Sequence, residues 1–452
     1  MRTRLSALSP VLDTVRGRLA KTTGAVFLLR AGNVALNFAI VALLARLLGP
    51  ASYGQYSVIL ALITTLAIPA QFGIPALVVR EVSRARADKE WSRYHPISRW
   101  AHKLSLMIGI PILLLTILSA LAPVNLFEPA EAAMLLAGCG LIVALPLRAL
   151  RSGLIRGLNR VVLGQIPGQV IEPLLLLTFV VTLAFGPAAI PEIPGLDPVS
   201  ALAAYFAAVF LAWIIGGLML RKLIAGVERK PGQRFELEGW KGSLIAFGLA
   251  NAMFIIDRQV GLLVLGVAAP DAEAGFYKVA SQAATFTAMG YVAANMALGP
   301  GVAKQWREGK LDAVQAAVIR GSRLSALFAF PVTLFFLVGG GLFLEIVFGA
   351  DYLPGWPAMV LLVLAQFANC AFGSNTVLLN MSGNERENTK AFAVALAVNV
   401  ALAFALAPQF GATGAAAAAA TSVVLRNLIL WRAAHRLCGM ETGFWGRVPR
   451  AG

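Results

Sequence analysis

Arg30, Asn33 and Asn37 recur at i, i+3 and i+7, a spacing that places all three on one face of a helix. A guanidinium in line with two amides can hold an anion, because it brings a fixed positive charge and a fork of N–H donors. Similar stripes return as Gln165, Gln169 and Glu172, as Asn251 and Arg258 with Asp257 adjacent, and as Gln366, Asn369, Gly373 and Thr376. Each stripe interrupts an otherwise apolar run. The ionisable residues inside such runs are Arg30, Arg46, Arg258, Lys278 and Arg426 against Glu172 and Asp257, a bias that suits an anionic ligand.

Other readings of the same residues stay open. A single Asn or Gln serves equally well as interhelical glue, at ~0.6 to 2 kcal/mol each. A guanidinium at bilayer depth costs at least ~2.5 to 3.5 kcal/mol unless paired or hydrated, so glue explains Arg30 and Arg258 poorly. Arg46, Lys278 and Arg426 sit near run ends, where snorkelling accounts for them. We therefore expect substrate contact from Arg30, Asn33, Asn37, Asn251, Arg258 and Lys278. Glu172, followed by Pro173, is the best candidate for a protonatable coupling carboxylate, since burial raises a carboxyl pKa and proline frees a nearby carbonyl. A glutamate paired with a cavity arginine is the alternative. Asp257 is the second coupling candidate, or else it neutralises Arg258 or reaches Arg30.

The elements that must position these groups are membrane helices. Of 452 residues, 58% are hydrophobic and 13% charged, with a mean hydropathy of +0.76. That is about half the charge of a soluble domain, and it excludes a disordered chain. Twelve runs approach the ~20 apolar residues that cross a bilayer. Spans 1 to 6 are 24–48, 55–79, 104–122, 132–147, 161–185 and 199–220; spans 7 to 12 are 242–266, 276–299, 324–344, 358–380, 391–407 and 410–431.

The net charge of +16 is arranged by topology. Alternate connections, together with both termini, hold 33 of the 38 Lys and Arg residues; the others hold none but carry Glu128, Glu131, Glu192, Asp197, Asp271, Glu273, Glu345 and Asp351. Basic residues near span ends stay on the cytoplasmic side, so both termini are expected there, with some attraction to anionic inner-leaflet lipids. A nucleic-acid partner is not expected. Nor is a cleavable signal peptide; residues 10–21 read instead as an amphipathic helix along the inner surface. His95, His102 and His435 all fall in basic segments, the three cysteines are unpaired singles, and no phosphate-binding glycine loop occurs. No metal, cofactor or ATP-driven step is therefore expected. Nor is an enzyme: the acidic connections are short, without His, Lys or Arg to act as outward-facing catalytic groups.

Six spans, a charged connector and six more spans suggest two parallel repeats related by an axis along the membrane normal. The predicted organisation is an all-α polytopic membrane protein: an amphipathic segment (1–23), an N-lobe (24–220), a connector (221–241), a C-lobe (242–431) and a tail (432–452). Gly54 and Tyr56 align with Gly275 and Tyr277 across the halves, which predicts a glycine at each tight turn on the acidic side. Small residues cluster at Gly216-Gly217, Gly339 to Gly341 and Gly414 to Ala420, and prolines inside spans offer kinks.

Two stretches carry a resemblance. The first runs Ala45-Arg46-Leu47-Leu48-Gly49-Pro50 through Tyr53-Gly54-Gln55-Tyr56, then Phe72-Gly73-Ile74-Pro75 and Val79-Arg80-Glu81. The second is Asp257-Arg258, then Gly275-Phe276-Tyr277-Lys278-Val279-Ala280. They resemble the Wzx-type polysaccharide flippases (O-antigen and exopolysaccharide), in the larger group that includes MATE drug exporters and lipid II flippases. The resemblance implies a two-lobe, alternating-access transporter in the bacterial inner membrane. It would carry a polyprenyl-pyrophosphate-linked oligosaccharide to the outer leaflet, coupled to H+ or Na+, with a glycan polymerase or assembly complex as candidate partner. A MATE-like exporter of cationic drugs would prefer acidic residues where this chain has Arg30; a lipid II flippase would have two further spans.

Overall fold

The computed structural model describes residues 9–122, 127–189, 195–225 and 240–448, and these are predominantly helical, with no strand among them. Nine helical stretches are long and apolar enough to cross a membrane. Two of them hold two spans each. Ser9–Leu66 breaks at Gly49, whose φ of 74° and ψ of 169° are open to glycine, and Glu385–Cys438 breaks at Gly411, with φ 53° and ψ −134°. Asp271–Arg307, which contains span 8, is not among the nine: it is the pass that spends its length on polar residues. With it, the twelve spans expected from hydropathy are all present as helix, in two lobes.

Residues 9–23 are helical as expected but do not form a separate surface helix. They run into span 1 without interruption, since Gly49 is the one non-helical position in Ser9–Leu66. Apolar sequence next to a good helix former propagates the helix more cheaply than it nucleates a second one. The connector falls largely outside the described residues.

Side chains on the outside of the bundle are apolar, as lipid requires: Leu114, Leu115, Leu118 and Leu121 stand 53%, 67%, 65% and 65% exposed. Inside, one hydrophobic cluster joins the lobes, with Leu44, Tyr53 and Ile63 from the first half and Val260, Leu265 and Tyr352 from the second. Satellite clusters stabilise the basic end of each lobe, around Ile74, Tyr94 and Leu150 in one and Val302, Val318 and Leu378 in the other. The tail folds back on the C-lobe: Arg323 donates to the Phe444 and Gly446 carbonyls at 3.1 and 2.9 Å.

The seam between lobes corrects one expectation. Gly54 and Gly275 lie within helices, and neither has a positive φ. The turn before span 2 is made by Gly49, and the one before span 8 by extended Ala269 and Pro270. The aligned glycines serve close approach instead. A Cβ on Gly54 would strike the Asp271 carbonyl, and one on Gly275 would strike the Pro50 carbonyl. This reciprocal contact is what two repeats about an axis must make, because each presents the same patch to the other. Gln55 Nε2 donates to Asp271 Oδ2 at 2.8 Å in the same seam, and the Tyr352 hydroxyl donates to the Ala45 carbonyl at 2.9 Å. Replacing Gly49 by alanine forces a non-glycine residue into its left-handed turn and is expected to cost about 1 to 3 kcal/mol. Thermal unfolding of the purified variant measures this, and an unchanged midpoint would refute it.

A candidate anion-binding cavity between the lobes

Span 2 and span 7 pack along their length: Gln259 Nε2 donates to Thr64 Oγ1 at 3.0 Å, and Arg80 Nη1 to Ser243 Oγ at 2.8 Å. Beside them lies a cavity of about 800 Å3. Span 1 lines it with Phe27, Arg30, Ala31, Asn33 and Val34, span 5 adds Gln169, and the remainder of the wall belongs to the C-lobe.

Of the residues expected to contact substrate, Arg30, Asn33, Arg258 and Lys278 line this cavity, and so does Asp257. Asn37, Asn251 and Glu172 do not. Asn37 lies one turn beyond Asn33 on span 1 and donates back to the Asn33 carbonyl at 2.9 Å. Asn251 is an exposed residue nearer the basic end of span 7. Glu172 is buried within the N-lobe, 6% exposed, where it accepts from Arg148 Nη1 in an ion pair.

Local structure explains the span 5 arrangement. Pro167 cannot donate to the preceding turn, and Pro167–Ile171 widens into a π-helical turn before Glu172–Ala189 resumes as α-helix. Pro173 has no N–H to return to the Gln169 carbonyl, which instead accepts from Asn33 Nδ2 at 3.0 Å, so the stripe of span 1 is held to the N-lobe wall. Glu172 is then turned toward Arg148, with Tyr205 beside it.

One cation missing from the expected set also lines the cavity. Arg426 of span 12 was open to snorkelling on sequence, yet its side chain is only 14% exposed and its Nη1 lies 3.7 Å from Asp257 Oδ2. Its guanidinium also covers the Phe392 ring at 4.7 Å. Asn399 completes this cluster by donating Nδ2 to Asp257 Oδ1 at 2.9 Å. The wall thus carries Arg30, Arg258, Lys278 and Arg426 against Asp257, and the one carboxylate is already engaged. Beyond it runs a chain of amides: Asn427 Nδ2 donates to Asn369 Oδ1 at 3.0 Å, and Asn369 Nδ2 to Gln366 Oε1 at 3.3 Å. The signal for Arg426 was present in the sequence as a cation inside an apolar run, but only the fold shows that Asp257 faces it.

Chemically, such a cavity can neutralise a polyanion without metal ligands of its own. Among the described residues no group of His, Cys, Asp or Glu is arranged to hold a metal ion. The polysaccharide biosynthesis protein family model matches residues 19–306. The chain belongs to that family. No curated protein matches the chain by sequence. Solved structures give the fold of the chain. A multidrug resistance MATE family transporter of the MOP superfamily, in an inward-facing conformation, superposes with a TM-score of 0.69 at 12% identity, covering 89% of this chain and 94% of that one. The lipid II flippase MurJ, in an inward closed conformation, gives 0.67 at 12% identity over 90% of this chain and 86% of its own. A MOP superfamily transporter from Pyrococcus furiosus gives 0.64 at 13% identity over 92% and 94%. The chain is accordingly a multi-pass membrane protein of the polysaccharide biosynthesis family that shares the fold of these MOP-superfamily structures.

Proposed function

We propose that the protein is a flippase that moves a polyprenyl-pyrophosphate-linked oligosaccharide from the inner to the outer leaflet of a bacterial inner membrane. One observation carries the reading: four cations share an inter-lobe cavity with a single carboxylate, and that carboxylate is already bonded to Arg426 and Asn399. A pyrophosphate carries the multiple negative charge that this wall would neutralise, and charge-assisted bonds are roughly twice as strong as neutral ones. Membership of a polysaccharide biosynthesis family supports a glycan as the cargo.

In this reading the basic connections and both termini face the cytoplasm, and Arg30, Asn33, Arg258, Lys278 and Arg426 hold the headgroup. Asp257 keeps Arg426 oriented until the substrate competes for it. Alternating access breaks the seam at Gly54 and Gly275 on the acidic side, and an H+ or Na+ gradient drives the cycle through Glu172 and Asp257. Weakened dependence of transport on a proton gradient is expected for Glu172→Gln; unchanged dependence removes Glu172 from that role. A glycan polymerase or assembly complex would receive the product.

Depletion in the native host tests the whole reading by following which leaflet holds the lipid-linked oligosaccharide. Accumulation on the cytoplasmic face, with loss of surface polysaccharide, is the expected result. Unchanged sidedness with new sensitivity to cationic drugs would overturn it in favour of drug export.

A further inference from the structure

The cations account for only part of the cavity wall. Spans 8, 10 and 12 add Gln282, Asn295, Gln366, Asn369 and Asn427, amides with no carboxylate among them. Two of the wall amides have a buried carbonyl oxygen without a hydrogen-bond partner among the described residues, Asn295 Oδ1 and Asn399 Oδ1. For Asn399 the amide orientation is fixed by chemistry. Its Nδ2 faces Asp257 Oδ1 at 2.9 Å, and only the nitrogen can donate to a carboxylate, so the unpaired atom is the acceptor. The residue is 2% exposed.

An unpaired acceptor asks for a donor, and a phosphate has none to give when ionised. The part of a ligand that meets this wall must therefore carry O–H or N–H groups. It must also be neutral, because an ammonium group would be repelled by the four cations nearby. Polyhydroxylated groups fit both demands. Amides are suited to them because each one offers two donors and two acceptor lone pairs, which matches a hydroxyl's ability to give and receive.

We infer that the amide wall of spans 8, 10 and 12 is a sugar subsite that takes the hydroxyls of the pyrophosphate-proximal sugar, while the cations take the pyrophosphate. This inference rests on the flippase reading above and deepens it. It assigns recognition of neutral sugar to Asn295, Gln366, Asn369 and Asn427, with Asn399 joining the wall to the Asp257 and Arg426 pair. The subsite discriminates a glycosylated lipid from its bare precursor, since a carrier without sugar leaves the wall acceptors unpaired.

Binding of two probes to the detergent-purified full chain tests this, read by native mass spectrometry: polyprenyl pyrophosphate, and the same lipid bearing a neutral disaccharide. The glycosylated probe is expected to bind about tenfold more tightly, the equivalent of one or two neutral hydrogen bonds. Asn295→Leu and Gln366→Leu should each erode that preference and leave the affinity for the bare lipid unchanged. Both are used because either one alone could fail to fold, and Asn399 is avoided because it supports Asp257. Equal binding of the two probes by the unaltered protein overturns the sugar subsite and leaves the flippase reading standing. So does an equal loss of both probes in the leucine variants, which would place these amides in the pyrophosphate site. Failure to bind either probe overturns the flippase reading itself.

Discussion

Alanine at Arg258 is expected to reduce export of lipid-linked oligosaccharide by about ten- to a hundredfold, the loss of one charge-assisted contact of ~1.5 to 3 kcal/mol. Arg30→Ala should do the same, and the double variant should abolish transport. Folding should be spared. Both arginines are exposed residues facing the cavity, and neither makes an ion pair among the described residues. The Arg258 guanidinium lies over the Phe254 ring at 5.8 Å. Arg258→Lys should retain part of the activity, because an ammonium supplies the charge without the bidentate fork. The measurement is surface polysaccharide in a host depleted of the native protein, alongside the amount and unfolding midpoint of each variant. Full activity in both single variants would sink the cationic-cavity model, whereas loss of folded protein would show that the arginines support structure. Arg426 is the instructive contrast: Arg426→Met also removes the partner of half-buried Asp257, so it should lower the unfolding midpoint as well as transport.

These residues show how far the sequence could be read. Hydropathy and the alternation of charged connections were enough for twelve spans in two lobes, because a bilayer imposes span length and the basic residues mark one side. The spacing of Arg30 and Asn33, and the adjacency of Asp257 and Arg258, were enough to find one wall of the cavity, since polar groups at that depth need a wet or packed surface. Helical periodicity alone could not say which polar stripe meets which. Asn37 shares a face with Asn33 yet bonds back to its carbonyl, and Glu172 shares a stripe with Gln169 yet is turned away by the π turn at Pro167. Arg426 and Asn399 entered the site through a contact with Asp257 across well over a hundred residues of chain, which no local pattern encodes. The glycines failed in a similar way. Their alignment between halves was legible, but the reason for it was the close contact of Gly54 with Asp271 and of Gly275 with Pro50 across the seam.

The largest effect on the fold is expected at Glu172. Its side chain is 8% exposed and is paired with Arg148, itself 26% exposed. Glutamine keeps the shape but removes the charge, so it leaves a guanidinium in the N-lobe with nothing to neutralise it. Removing one partner of a buried pair costs ~3 to 5 kcal/mol, and the residual exposure of Arg148 places this one at the low end, about 3 kcal/mol. Thermal unfolding in detergent should show a clear fall in midpoint for Glu172→Gln, and a similar one for Arg148→Met. Removing both charges together, as Glu172→Leu with Arg148→Met, should recover most of the loss, because two apolar groups of similar volume need no pairing. Additive losses in the double variant would refute the ion pair as the source of the effect. Recovery has a second use. It supplies a folded protein without the carboxylate, in which dependence of transport on a proton gradient can be measured free of the stability change. Retained coupling there would reduce Glu172 to a structural partner of Arg148; lost coupling in a stable protein would make its protonation, and the release of Arg148 that follows, a step of the transport cycle.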